Sequence, residues 1–344
     1  MNEVGRLYGN NIVFPGLGID ITLDNEAFSL FVLSIKWYGV LIAFGMLLAM
    51  IYCFKRTKTF GIDGDRLTDT VFAGLIGAVI GARLYYVVLH AESFHDIRDV
   101  FAIRDGGLAI YGGILGALLF GCITAKIRKL KILPTLDLAS MGFLIGQAVG
   151  RWGNFFNQEA FGCNTTLPWG MSGGKIQQYL LNHQASLAAQ GMDINPYIPV
   201  HPCFLYESVW CAVGFLILCL YHKHRKFDGE VFCMYVLWYG TGRFFIEGLR
   251  TDSLYIGSVR ASQMLALISA IAALVIIIAM HIRVKKKGTV LYCDTDESKA
   301  ILEAAANAEK DAEERRKARK HKELTEEQKI VSEDESDENT EDKN

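Results

Sequence analysis

The residues best able to do chemistry lie in the stretch 150–162, Gly-Arg-Trp-Gly-Asn-Phe-Phe-Asn-Gln-Glu-Ala-Phe-Gly. It brings Arg151, Asn154, Asn157 and Glu159 directly onto the end of an apolar run at 133–149. A charged side chain at the edge of a bilayer or deeper is costly, so it faces protein or a water-filled cavity and marks a functional site. Gln147, Arg151 and Asn154 stand at i, i+4 and i+7 and share one face if the helix runs that far. A guanidinium fork with an amide beside it suits a phosphate or a carboxylate. For Arg151 alone a blander role is open, a helix end snorkelling one Arg to the headgroups and capped by Asn154.

A second constellation spans 239–250, where Tyr239, Arg243, Glu247 and Arg250 are spaced by 4, 4 and 3 residues. One helical stripe would then hold a phenol, two guanidiniums and a carboxylate. Arg243 and Glu247 can neutralise each other as an i, i+4 pair, but that pairing does not absorb Arg250. An anion is the simplest reason to keep the surplus charge.

These residues need elements to hold them, and the chain supplies seven apolar runs of membrane-spanning length. Helices are predicted over 37–54, 67–89, 108–124, 133–150, 204–221, 231–249 and 262–280. The fold class is therefore all-α, a polytopic membrane protein with seven transmembrane helices. Its 344 residues do not set a count of soluble domains, and its 51% hydrophobic content is modest only because the last fifty or so residues are polar. The net charge of −2 says nothing about partners. Lys and Arg crowd the loops after the first, third, fifth and seventh helices, whereas Lys175 is the only basic residue between 154 and 200. The positive-inside rule then puts the N-terminus outside and the C-terminus in the cytoplasm.

The organisation that follows is an extracytoplasmic lead-in over 1–26, a transmembrane catalytic domain over 27–285 with a small outer head at 154–202, and a charged cytoplasmic tail over 286–344. The lead-in lacks the positive n-region of a signal peptide, and 26–35 reads as a short interfacial helix. Gly162, Gly170, Gly173 and Gly174 predict turns in the head rather than a compact unit with its own core. In the tail, 297–328 suits a solvated helix laced with salt bridges and 332–344 suits disorder; a solubilising extension is the reading preferred.

The eight cysteines do not form a disulfide framework, since Cys53, Cys122, Cys211, Cys219 and Cys233 sit in or at the ends of apolar helices. Cys163 and Cys203 flank the head, and a bond between them is open. No Cys/His cluster has metal-ligand spacing. On the second helix, Gly74, Gly77, Ala78, Gly81 and Ala82 present a small-residue face for close packing. Arg83 suits an anionic pocket or a headgroup equally. The glycines of 104–116, among them Gly112 and Gly113, permit close backbone approach by a helix or a lipid. For His201 and Glu207 the residues themselves favour local capping, and for Tyr38 an aromatic-belt anchor.

The pattern at 150–162 resembles the signature of the bacterial prolipoprotein diacylglyceryl transferase family, with Arg151, Asn154, Glu159 and Gly162 in their places. Trp37-Tyr38-Gly39, the glycine run, His201-Pro202-x-x-Leu205-Tyr206-Glu207 and 239–250 extend the resemblance over roughly 30–285. It implies an enzyme of the bacterial cytoplasmic membrane, with its active site towards the outer leaflet. The implied reaction transfers the diacylglyceryl group of phosphatidylglycerol to the lipobox cysteine thiol of a preprolipoprotein, giving a thioether and releasing glycerol 1-phosphate. The candidate catalytic residues are Arg151, Arg243 and Tyr111. Tyr38, Asn154, Glu159, Gly162, Tyr239, Glu247 and Arg250 would bind substrate, with Arg83, Gly112, Gly113, His201 and Glu207 in a second tier.

One departure matters: many members of the family place a His where this chain has Tyr111. With a reference pKa of about 10, Tyr is a poor base at neutral pH, so the positive pocket itself must favour the thiolate, and the Tyr111 hydroxyl is left to hold a phosphate oxygen or relay the proton to the leaving phosphate. No cofactor, metal or nucleic acid is called for. Two other classes fit the arginines: a transporter of an anionic substrate, and a non-catalytic lipid-binding assembly factor.

Overall fold

The computed structural model describes residues 10–30, 33–93, 96, 101, 107–251, 255–256 and 259–341. Arg104, Asp105 and Gly106 of the glycine run lie outside the described residues. All seven apolar runs are helical: α1 (Trp37–Arg56), α2 (Gly64–Leu89), α3 (Ile110–Ile127), α4 (Ile132–Asn157), then, after helix α5 of the head (Gly174–Ala189), α6 (Cys203–Tyr221), α7 (Glu230–Leu249) and α8 (Ala261–Lys287). Among the described residues five of them, α1, α2, α4, α6 and α8, are long and apolar enough to cross a membrane, and α3 is a shorter apolar helix. The protein is thus a helical membrane protein. α1 packs on α4, α2 on α3, α7 on α8, and α4 also meets α6 and α7.

Two devices fix the site-bearing helices. Asp137 of α4 is wholly buried and its carboxylate accepts the Gly229 N–H at 2.7 Å and the Phe232 N–H at 2.8 Å. It caps the otherwise unsatisfied first turn of α7 from a neighbouring helix. At the far end of α4 the helix runs past Asn154 to Asn157, and Gln158 closes it in the left-handed conformation with φ 56°. Asn154 is therefore a helical residue, not a cap. The buried Gln158 amide accepts from Lys175 N at 3.0 Å and donates to Asn10 O at 3.3 Å, which ties the head to the helix end.

The expected glycine packing is realised between α2 and α3. A Cβ on Gly81 would strike the backbone of Gly112 and Gly116, and one on Gly77 would strike Gly116 and Phe120. Gly112 therefore serves helix approach, whereas Gly113 faces only ordinary contacts with Ala78 and Ala82. Gly81→Val is expected to lower stability by about 2–3 kcal/mol through overpacking, with Gly113→Ala near neutral. Denaturant unfolding of the two variants in detergent, followed by helicity, checks this.

Two expectations are corrected. Residues 26–35 do not form a helix: β3 (Glu26–Leu30) and β4 (Leu33–Lys36) pair antiparallel, with Phe28 opposite Ile35. Phe28 and Leu30 alternate with small Ala27 and Ser29, the period of a strand. This hairpin and the short strands below also qualify the all-α class. Second, the head has its own core. Ile176, Leu180 and Leu187 line one buried face of α5 and join Ile12, Phe155, Phe161, Met171 and Val200. β1 (Asn11–Phe14) pairs with β2 (Ile19–Thr22) and with β5 (Ser172–Gly173), so the lead-in is built into the head. The Cys163–Cys203 bond left open by the sequence is not formed: both are free thiols.

The tail helix α9 runs from Asp296 to Glu341, further than 297–328, since 332–341 contains no Gly or Pro to stop it. Its first turns are not simply solvated. Ser298 is buried and donates to Gly61 O at 3.1 Å in the α1–α2 loop. Glu297 pairs with Lys131 of the α3–α4 loop at 3.2 Å. Just before the helix, Tyr292 N donates to Asp228 at 2.9 Å. Arg225 joins the two sides, donating to Thr59 O at 2.9 Å and to Cys293 Sγ at 3.3 Å, with its guanidinium 4.4 Å over the Phe60 ring.

Candidate anion site at the ends of α4, α6 and α7

Glu207, on the second turn of α6, is the centre of the site. Its carboxylate, 4% exposed, pairs with Arg151 Nε of α4 through one oxygen and with Arg243 Nη1 of α7 through the other. The second nitrogen of Arg243 pairs with Glu247 at 2.6 Å, the expected i, i+4 contact. Glu247 is 2% exposed, so both carboxylates are held inside protein, where losing a partner is expensive. Each Arg thus has its fork fixed and still presents donors to a ligand.

Around this frame, Arg151 Nη1 donates to Asn154 Oδ1 at 3.4 Å, and Asn154 Nδ2 donates to Glu159 at 2.8 Å. Glu159 also accepts from Asn157 at 3.2 Å. It reaches the arginines only through Asn154, because Gln158 and Ala160, both at φ 56°, turn the chain back along the helix end. Orienting the forks therefore falls to Glu207 and Glu247. Tyr239 lies beside the Arg151 guanidinium, and Arg250 is near enough to Arg151 for the two charges to repel. Arg250 does not continue the helical stripe. α7 ends at Leu249, Arg250 is extended at ψ 145°, and it bridges to Gly162.

Gly162 is required there by close approach. Its N–H donates to His201 O at 2.9 Å, and a Cβ would strike His201, Cys203 and the Leu249 carbonyl. His201 itself is fixed through Nδ1 to the Tyr206 hydroxyl at 3.1 Å, which accepts from Trp169 at 2.8 Å. Burial pushes its imidazole below the usual value. Tyr38 sets its ring against the backbone of Gly153, beside the Arg151–Asn154 turn.

Four predicted residues stay out of this network: Gly112 and Gly113 at the α2–α3 contact, Arg83 and Tyr111. Arg83 is buried at the α2–α3 junction, where it donates to Gly107 O at 3.0 Å and lies 5.9 Å from the Tyr86 ring. Tyr111 is 64% exposed on the first turn of α3. Conversely, the sequence reading missed Tyr235 and Arg260. Tyr235 accepts from Gln147 at 3.0 Å and stacks on Tyr239 with centroids 5.9 Å apart; its place one turn before Tyr239 was the available signal. Arg260 caps α8 and donates to the Glu247 carbonyl at 2.5 Å. Among the described residues, the side-chain network joins Arg151 and Arg243 to Glu207 and Glu247, and extends from Arg151 through Asn154 to Glu159.

One turn from Arg151, Gln147 and Tyr235 form the end of an apolar cavity of about 710 Å³ between α1, α2, α3, α4 and α7. Met46, Leu75, Ile114 and Phe143 are among its walls. A helical membrane protein with a charged site one turn beyond the wall of such a cavity can hold an amphiphile whose head is anionic.

Comparison with known proteins gives the class a family. Residues 25–279 match the family described as prolipoprotein diacylglyceryl transferase. The phosphatidylglycerol–prolipoprotein diacylglyceryl transferase of Clostridium novyi (strain NT) is 40% identical over 264 residues, 76% of this chain and 98% of its own. The enzyme of the same name from Clostridioides difficile (strain 630) is 38% identical over 266 residues, 77% of this chain and 97% of its own. That of Enterococcus faecalis (strain ATCC 700802 / V583) is 41% identical over 261 residues, covering 74% and 90%. This chain belongs to the prolipoprotein diacylglyceryl transferase family. It is a membrane transferase of lipoprotein maturation, acting at the diacylglyceryl transfer step.

Proposed function

We propose that this protein transfers the diacylglyceryl group of phosphatidylglycerol to the lipobox cysteine of preprolipoproteins in the bacterial cytoplasmic membrane. The observation that carries the reading is the Glu207 carboxylate shared by Arg151 and Arg243, one helical turn beyond Gln147 in the wall of an apolar cavity. The phosphodiester sits on the arginines and the acyl chains enter the cavity. All seven of α1–α4 and α6–α8 cross the bilayer, with the basic loops and the tail in the cytoplasm and the head outside. The site then opens towards the outer leaflet.

In the reaction the acceptor sulfur bonds to the glyceryl carbon, the carbon–oxygen bond to phosphate breaks, and the thiol proton ends on the released glycerol 1-phosphate. The leaving phosphate gains negative charge as that bond breaks. Arg151 and Arg243, preorganised by Glu207 and Glu247, stabilise it without reorganising. The same field lowers the thiol pKa. Asn154, Tyr38 and Tyr239 orient the headgroup, Gly162 lets the backbone approach closely, and Arg250 adjusts the field.

The test uses full-length protein in phosphatidylglycerol liposomes with a synthetic lipobox peptide and intact-mass detection. A diacylglyceryl-sized gain that disappears in Arg151→Ala and in Arg243→Ala is the expected result. No gain with folded wild-type protein, together with flux of a labelled anion, would replace the enzyme by a transporter. In the same assay Tyr111→Phe is expected to keep activity within about threefold of wild type, because electrostatic activation of the thiol does not need a phenolic proton relay. A hundredfold loss would put that relay back into the mechanism.

A further inference from the structure

α6 and α7 are joined by a reciprocal contact outside the site. Trp210 of α6 and Trp238 of α7 stack with centroids 4.3 Å apart and planes 17° from parallel. Each indole N–H donates to the other residue's backbone carbonyl, Trp210 to Trp238 O at 2.9 Å and Trp238 to Trp210 O at 2.9 Å. Each ring also lies over a glycine of the opposite helix: a Cβ on Gly242 would strike the Trp210 indole, and one on Gly214 the Trp238 indole. Both carbonyls already belong to helical turns, so these bonds demand one axial register and tolerate little sliding.

We infer that the Trp210–Trp238 clasp, seated on Gly242 and Gly214, is a positioning device that sets the register between Glu207 and Arg243. The levels agree. Trp210 lies opposite Gly242 and Trp238 opposite Gly214 on antiparallel helices, which puts Glu207 beside the Arg243–Glu247 turn. A slip of one residue moves a helix by about 1.5 Å along its axis, enough to take Glu207 out of reach of one arginine. Ridge packing alone leaves the register of two helices under-determined; the clasp has a polar bond at each of its two ends. This inference rests on the proposed phosphate clamp. It adds that the clamp is assembled by a contact one turn from Glu207.

The experiment uses full-length protein in phosphatidylglycerol liposomes, with Trp210→Phe, Trp238→Phe and the double variant, and with Gly242→Ala as a separate perturbation. Three quantities are read: kcat and donor-lipid KM per folded molecule, thermal unfolding, and the exciton couplet that stacked indoles give in circular dichroism. Phe keeps a ring on the glycine and loses the N–H. Lipid affinity comes largely from the apolar cavity, so KM should move less than threefold, while kcat falls about tenfold to a hundredfold as the fork loses its aim. The couplet disappears in each Phe variant. Wild-type kcat in the double variant, with the couplet gone, overturns the inference, and so does a loss that vanishes when rates are expressed per folded molecule. If Gly242→Ala does not fold, the Phe variants still decide. Failure of wild-type protein to transfer lipid would instead refute the proposed function.

Discussion

Replacing Glu207 by Gln is expected to reduce diacylglyceryl transfer at least about a hundredfold, with part of the change visible as lost stability. One nearly buried carboxylate faces Arg151 through one oxygen and Arg243 through the other. Gln keeps the shape but removes the charge, and its NH₂ must point at one of the two guanidiniums. Both groups then lose the partner that fixes their forks and repel each other. Breaking a buried ion pair by removing one partner costs about 3–5 kcal/mol. Rates per folded molecule in phosphatidylglycerol liposomes separate the catalytic part from unfolding. If Glu207→Gln retained more than half the wild-type rate, the shared carboxylate would be dispensable and the arginines would have to be organised by Glu247 and Asn154.

Arg243→Lys carries the second large effect, a fall of about a hundredfold in kcat. The Arg243 fork uses Nη1 for Glu207 and Nη2 for Glu247. A Lys ammonium brings the same charge without the planar fork, so it cannot make both contacts and face the leaving phosphate together. Arg151→Lys is expected to be less damaging, because Arg151 has a single carboxylate partner and a long contact to Asn154. Intact-mass initial rates with both variants test the order. Equal losses would mean that charge, not fork geometry, governs the step.

Much of this frame was legible in the sequence. Apolar runs located the seven apolar helices, five of them of membrane-spanning length among the described residues, and i, i+4 spacing identified Arg243–Glu247 before any packing was known. Gln147, Arg151 and Asn154 share a face because α4 does run that far. What could not be read depended on contacts between distant segments. Glu207 looked like a local cap, since nothing within α6 shows that α4 and α7 each aim an arginine at it. Arg250 looked like a fourth member of a stripe, but α7 stops at Leu249 where the chain pairs with Gly162. Glu159 was expected at the arginines and is turned back by two non-glycine residues in the left-handed region, which composition does not signal. The core of the head was hidden because its apolar residues come from β1, the end of α4, and α5, and only together form a cluster.

The tail contact has a mechanical meaning. α2 and α3 pack mainly on each other and line one side of the apolar cavity. That pair is connected to the other long helices through the α1–α2 loop and the α3–α4 loop. Ser298 and Glu297 hold one of these each, at Gly61 and Lys131. Both connections are thus pinned at the same end of the molecule by one short stretch of the tail, which acts as a staple across them. Cutting the chain after Gly288 would remove that staple, whereas shortening α9 beyond Ala312 would leave it in place.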